Sequence, residues 1–368
     1  MAEHHKPKPL RTILLTINII VAVFLAGTYL PAYITPSESS FIALFGLVYP
    51  LLLIINLVFV LFWLVFHRKH ALISIIVILA GYNNLMHNFH FNLIKNRVHH
   101  GTTLKILSYN VQTFGSTETG FGEETNRIKI LRFLKNENPH ITCLQEYYSE
   151  GKTRYEPLLN MKDNLNVGTY YFESYFSPKH NQLSGLVIFS KYPAVNKGKL
   201  KFEGSRTFGI FTDLLVESDT IRVYNVHLAS IQLVPADIDF VVSGGQKEQG
   251  AFSLHAMNIY KKLSGAFRLK ERQMDYLIRQ MDKSPYPIIL CGDFNDTPSS
   301  YIYNRIKAKL DDTFTEKGTG IGITYAGHLP FLRIDYIFKS AGMNTFRYQR
   351  YKVDFSDHFP ISAFVTVE

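Results

Sequence analysis

Five short polar pieces lie between residues 108 and 358, each where an apolar run stops or is about to begin. They are Ser108-Tyr109-Asn110, Gln145-Glu146, Asn225-Val226-His227, Gly292-Asp293-Phe294-Asn295 and Ser356-Asp357-His358. The first four end runs of β character, and the fifth stands just before one. They offer carboxylates, amides and imidazoles and almost nothing apolar. For such distant pieces to work together, the fold must gather strand ends in one place. Convergence of this kind is how a metal-assisted phosphoester hydrolase builds its site.

The runs themselves predict strands at 105–109, 141–144, 185–190, 208–216, 221–226, 288–291, 334–338 and 361–367. Their continuous or alternating apolar character suits sheets covered on one face by helices. Helices are predicted at 126–136, with Ile128, Leu131 and Leu134 on one stripe, and at 269–281, with Met274, Leu277, Ile278 and Met281 on another. Pro139 stops the first. Strands mixed with helices predict a two-sheet α/β sandwich. Residues 229–267 break the pattern and read as a loop-rich insertion, a flap facing substrate or membrane. Cys143 and Cys291 both lie inside apolar strands and read as core thiols, not as a disulfide framework or a zinc site.

A phosphate ester resists attack because its oxygens repel hydroxide. Catalysis needs a cation and hydrogen-bond donors on those oxygens, and a base for the water. Glu146 at a strand mouth suits a metal ligand, and Asn110 either ligates the metal or bonds a phosphoryl oxygen. Asp293 and Asn295 are two apart on extended backbone, so both side chains reach one substrate. His227 and His358 can donate to phosphoryl oxygen or take a proton from water. Asp335 is an acid inside an apolar strand and needs a partner, which we expect to be His358.

In this order the motifs resemble the endonuclease/exonuclease/phosphatase superfamily, of which DNase I is a member, over about residues 104–367. The resemblance implies a four-layer α/β sandwich, two packed β-sheets flanked by helices, and Mg²⁺-dependent phosphoester cleavage, with Mn²⁺ as a substitute. It assigns Asn110, Glu146 and Asp357 to the metal end, and Asn295, Asn110 and His227 to phosphate binding. Asp293, His358, His227 and Asp335 become the catalytic group, with the general base shared between Asp293 and His358. His227 is similar to the DNase I, sphingomyelinase and phosphatase branches. Lys152, Arg154, Lys179 and Arg206 are scattered and form no stripe that tracks a nucleic-acid backbone, so nucleic acid is not the favoured partner.

Residues 1–100 are of another kind. They hold two acids, Glu3 and Glu38, and three long runs at about 12–30, 41–66 and 71–91, the first two apolar throughout and the third turning polar at Asn83-Asn84, His87-Asn88 and His90. Each run is long enough to span a bilayer, so the chain divides into a membrane region, 1–100, and a catalytic domain, 101–368. The first run is too long for a signal-peptide core. Lys6, Lys8 and Arg11 precede it, the loop 31–40 has no basic residue, and His67-Arg68-Lys69-His70 follow the second run. Basic flanks mark the cytoplasmic side. Three spans then put the catalytic domain outside the cytoplasm, which for a bacterial inner membrane means the periplasm. The net charge of +9 is too diffuse for a nucleic-acid footprint. The expected activity is a membrane-anchored phosphoesterase acting on a lipid or lipid-linked headgroup. An extracytoplasmic nuclease and a non-catalytic membrane scaffold are the alternatives, and no protein partner is legible.

Overall fold

The computed structural model describes residues 9–91, 101–114, 125–149, 156–177, 182–231, 234–243, 252–327, 329 and 331–367. Helices α1 (Pro9–Gly27) and α2 (Ser40–Phe66) are long and apolar enough to cross a membrane. The third apolar segment is not one straight helix. It forms α3 (Arg68–Ala80) and α4 (Tyr82–Asn88), bent by 73° at the break. With 13 residues, α3 alone falls short of the roughly 20 a straight span needs.

A polar chain crosses the three-helix bundle. Trp63 Nε1 donates to Asn18 Oδ1 at 3.0 Å, Asn18 Nδ2 to Ser74 Oγ at 2.7 Å, and Ser74 Oγ to Asn56 Oδ1 at 2.8 Å, all in buried side chains. Small polar residues of this kind glue apolar helices whose side chains gain nothing from leaving lipid. Tyr29 Oη donates to Val77 O, and Asn84 Nδ2 to Thr28 O. The far end of α3 therefore lies level with the end of α1.

The remaining elements are β1 (Thr102–Asn110), α5 (Asn126–Glu137), β2 (Ile141–Ser149), α6 (Glu156–Asn164), β3 (Thr169–Ser177), β4 (Gln182–Ser190), β5 (Ala194–Lys201), β6 (Phe208–Val216), β7 (Asp219–His227), α7 (Pro235–Ser243), α8 (Phe252–Met281), β8 (Ile288–Asp293), α9 (Tyr301–Lys307), β9 (Asp311–Asp312), α10 (Thr313–Lys317), β10 (Asp335–Lys339), β11 (Asn344–Arg350) and β12 (Ile361–Val367). They build two six-stranded sheets, ordered β11-β12-β1-β2-β4-β3 and β5-β6-β7-β8-β10-β9. The period of two along each strand sorts side chains into layers. In β1, Leu104 and Ile106 join the core between the sheets, while Leu107 and Tyr109 pack outward with Ile130 and Leu134 of α5. In β8, Ile289 and Cys291 face the other sheet, while Leu290 packs with Met274 and Leu277 of α8. The result is a four-layer α/β/β/α sandwich. Cys143 and Cys291 are free and buried between the sheets. The 229–267 stretch is not loop-rich where described: it contributes α7 and the first half of α8.

The N-terminal apolar helices dock directly onto this sandwich. Thr297 Oγ1 donates to Gly46 O of α2 at 3.0 Å, Asn88 Nδ2 of α4 to Ser299 Oγ at 3.0 Å, and Arg268 Nε of α8 to Ser40 Oγ at 3.1 Å. His90 and Gly320 exchange backbone hydrogen bonds. The described part of the third segment's Asn/His-rich end thus forms a docking strap. Its strongest link is Arg333, buried against Asp312 at 2.7 Å and donating to His87 O at 2.7 Å, with its guanidinium over the Phe314 ring. Arg333→Met strands the Asp312 carboxylate in the interior. It should lower unfolding stability by about 3–5 kcal/mol, read as a loss of denaturant midpoint in detergent.

Candidate active site

Strand pairing assembles the site. In the second sheet, Asp293 is the register partner of both His227 on β7 and Asp335 on β10. In the first sheet, Asn110 pairs with Gln145, next to Glu146. The two sheets are tied at this end by buried amides. Gln145 Nε2 donates to Asn225 Oδ1 at 2.7 Å, and Asn225 Nδ2 donates to the carbonyls of Leu144 and Val187. Gln145 Oε1 has no partner among the described residues, but the other three amide atoms are bonded, and this pair sets the spacing of the two strand ends.

Local backbone then aims the side chains. The register of β2 against β4 shifts between Leu144 and Tyr147, and Glu146 takes φ 51° inside that bulge. Bulges re-aim one side chain out of a ladder, which frees Glu146 to face the cleft. Gly292 sits at φ 155°, and a Cβ there would lie 2.1 Å from Val226 O. Glycine is required for β7 and β8 to approach just before Asp293. Asn295 is left-handed at φ 49°, and its N–H donates to Asp293 Oδ1 at 2.8 Å. Strain at non-glycine residues persists where surrounding contacts over-determine it, and it clusters at functional sites.

Asn110, Glu146, His227, Asp293, Asp335, Asp357 and His358 come together. Asn110 Nδ2 donates to Asp293 Oδ2 at 3.0 Å and to Glu146 Oε1 at 3.2 Å. His227 Nε2 is 3.7 Å from Asp293 Oδ2 and 3.8 Å from Glu146 Oε1. His358 Nδ1 lies 2.8 Å from Asp335 Oδ2, and its Nε2 is 3.8 Å from Asp293 Oδ2 and 4.0 Å from Asp357 Oδ1. Two imidazole nitrogens therefore face one carboxylate oxygen. Asn295 stands apart in one respect: its Nδ2 donates to Leu228 O at 3.2 Å.

Charge crowding shapes the protonation states. Burial disfavours a charged His358, yet Asp335, Asp293 and Asp357 together pull its imidazolium up to about 10. Burial pushes the Asp335 carboxyl up, with His358 opposing and Asp293 adding to the rise. Asp357 is also raised, by burial and then by Glu146 and Asp293 against the pull of His358.

The donors fit a hard divalent cation. Glu146 and Asp357 offer carboxylate oxygens, and the like charges that raise Asp357 are what a cation relieves. Asn110 Oδ1 accepts from the Gln112 N–H and has a second lone pair, while its Nδ2 braces Glu146 and Asp293. Asp293, Asp335 and His358 also present three possible ligand atoms within 4.8 Å of one another. The 2.8 Å contact to Asp335 already occupies His358 Nδ1.

Several supporting residues carry no motif signal. Lys270 of α8 is fully buried, donating to Asn295 O at 2.7 Å and pairing with Asp296 at 2.9 Å. A lysine near the apolar stripe of 269–281 was its one trace in the sequence. Thr324 Oγ1 accepts from the Asp335 N–H, and the Tyr325 ring packs edge-on against His358. Ser356 Oγ donates to Asn110 O, tying the last motif to the first.

Residues 107–358, more than half of the chain, match the endonuclease/exonuclease/phosphatase family. The chain belongs to that family. It is accordingly a hydrolase of phosphoester bonds with the DNase I-like fold. Residues 11–88 match a domain described only as one of unknown function. No curated protein matches. Among solved structures, the chain is similar to the human Nocturnin catalytic domain with bound sulfate anion, at 17% identity over 72% of this chain and 93% of that one, TM-score 0.51. It is similar to an endonuclease/exonuclease/phosphatase from Bacteroides vulgatus, at 13% identity over 73% and 100%, TM-score 0.53. It is also similar to D. rerio TDP2 complexed with single strand DNA product, at 14% identity over 72% and 100%, TM-score 0.51. At these identities the likeness is one of fold.

Proposed function

We propose that the chain is a membrane-anchored, Mg²⁺-dependent phosphoesterase that works outside the cytoplasm on a phosphate ester at the bilayer surface. One observation carries this reading. The loop that follows Asp293 and bears Asn295 continues into Thr297 and Ser299, which are hydrogen-bonded to Gly46 of α2 and Asn88 of α4. The catalytic residues and the apolar helices share one joint, so the site stays beside the membrane.

The same contacts bear on sidedness. Ser37, Ser40 and Gly46 flank the end of α2 that follows the loop 31–40, and these are the residues that meet the sandwich. Arg68 and Lys69 lie at the other end of α2. Basic residues favour the cytoplasmic side, which supports an extracytoplasmic catalytic domain without appeal to the bent third segment. A phosphatase fused to the C-terminus should therefore be active and a fluorescent protein dark. The reverse pattern removes the extracytoplasmic assignment.

In mechanism, Glu146 and Asp357 would hold Mg²⁺, which when bound neutralises charge on the phosphoryl oxygens. Asp293 orients the attacking water and takes its proton, and Asn110 keeps that carboxylate in place. His227 and His358 present Nε2 toward the same point and donate to the phosphoryl group. Asp335 fixes the tautomer and ring orientation of His358. Purified protein with Mg²⁺ should hydrolyse bis-(p-nitrophenyl) phosphate or p-nitrophenyl phosphate. Turnover of neither would favour the binding-scaffold alternative.

A further inference from the structure

We infer that the solvent-facing stripe of α8 lies on the surface of the bilayer and binds anionic lipid. This rests on the reading that α1 and α2 cross a membrane. Helix α8 has 30 residues, about 45 Å at 1.5 Å per residue. Its C-terminal half is anchored in the sandwich through Met274, Leu277 and Ile278. Leu254, Met257, Lys261, Gly265, Arg268 and Arg272 are all exposed and follow one another at intervals of three or four, so they form one face. That face holds two large apolar side chains, three cations and no acid. Leu254 is 65% and Met257 51% exposed, and a Cβ at Gly265 would meet nothing within 4 Å.

The position of this face says what covers it. Arg268 Nε donates to Ser40 Oγ, on the first residue of α2, and the Ser37 N–H and Oγ donate to Glu271 of α8 at 2.8 and 2.6 Å. The stripe therefore meets the membrane helix where that helix leaves the aqueous loop. Leu254 lies 14 residues back from Arg268, about 21 Å along the axis. Another side of the helix is already occupied: Asp237 of α7 pairs with Lys262 and His255, and the Phe240 ring stacks on His255. An apolar tip with flanking cations on one helical face is the composition of an interfacial helix, which sinks its apolar side chains about 5–10 Å into the headgroup boundary. Cations near an anionic leaflet add electrostatic attraction to that burial. The same helix grips the catalytic loop through Lys270, so lipid contact and active site share one rigid element.

The test uses full-length protein in nanodiscs of phosphatidylcholine with and without phosphatidylglycerol. Nitroxides are placed on Leu57→Cys, Leu254→Cys and Met257→Cys. Native Cys143 and Cys291 are fully buried and stay unlabelled. Power saturation then compares access of oxygen with access of a neutral nickel complex. The expected result is oxygen-dominated relaxation at 57, and the same at a shallower depth at 254 and 257. Phosphatidylglycerol should deepen the latter two, and Lys261→Glu with Arg272→Glu should abolish that deepening. A lipid-buried 57 with water-like 254 and 257 overturns the inference and leaves the anchor standing. A water-like 57 removes the membrane reading and this inference with it. Shielding of 254 and 257 from both reagents, with spin–spin broadening, identifies a second copy as the occupant and also overturns it.

Discussion

Asp335→Asn should lower the rate of hydrolysis by at least about 10²-fold, with Mg²⁺ half-saturation nearly unchanged. The carboxylate is buried, it pairs with β8 through the register partner Asp293, and it holds His358 Nδ1 at 2.8 Å. An amide of the same shape keeps the packing. It can present its own N–H to Nδ1, which turns the imidazole into the wrong tautomer, and it cannot stabilise an imidazolium. The loss belongs to proton handling and phosphoryl binding, so it should appear in kcat at saturating Mg²⁺. Thermal unfolding checks that the fold is intact.

Glu146→Ala should behave differently. Its carboxylate stands in the cleft, aimed there by the bulge in β2, and is braced by Asn110 at 3.2 Å. Removing it should raise the Mg²⁺ needed for half-maximal rate by at least about 100-fold and lower the rate as well, since even supporting partners of metal ligands cost that order. Titration of Mg²⁺ against activity, with Mn²⁺ binding followed by electron spin resonance, separates the two variants. Equal loss of metal binding in both would overturn the division between a metal end and a histidine-supporting acid.

The contrast between strands found and strands missed has a physical cause. All eight predicted strands lie in or overlap observed ones, and β6 and β12 have the predicted bounds. The four unforeseen strands, β3, β5, β9 and β11, are the four sheet edges. Edge strands carry charge and polar side chains that discourage pairing with other chains. Lys197, Lys199 and Lys201 on β5 and Arg347 and Arg350 on β11 erase the apolar run on which strand recognition depends. The helices within 229–267 were missed for a related reason. In the first half of α8, Ile259, Leu263, Ala266 and Phe267 share one side, but Leu254 and Met257 stand exposed on the opposite side and blur the apolar period. The bend at Gly81 is accompanied by contacts that sequence does not display, such as Asn88 to Ser299.

The chemistry was more legible than its setting. Motif residues at strand ends announce themselves as a set, because five such pieces follow one another in a single chain. Lys270, Gln145 and Asn225 act through burial, and burial is a property of packing. The joint between Thr297 and Gly46 links residues far apart in the chain, neither of which looks unusual alone. On the proposed reading, that joint holds the catalytic domain against a membrane.

The most direct measurement is product release by full-length protein reconstituted in vesicles with Mg²⁺, across phospholipid, lipid-linked phosphate, sugar-phosphate and nucleic-acid substrates. A bilayer-facing phosphoesterase releases headgroup or phosphate from a lipid ester, and Glu146→Ala and Asp335→Asn both lose that release. Cleavage confined to nucleic acid or soluble phosphates, with every lipid ester intact, contradicts it.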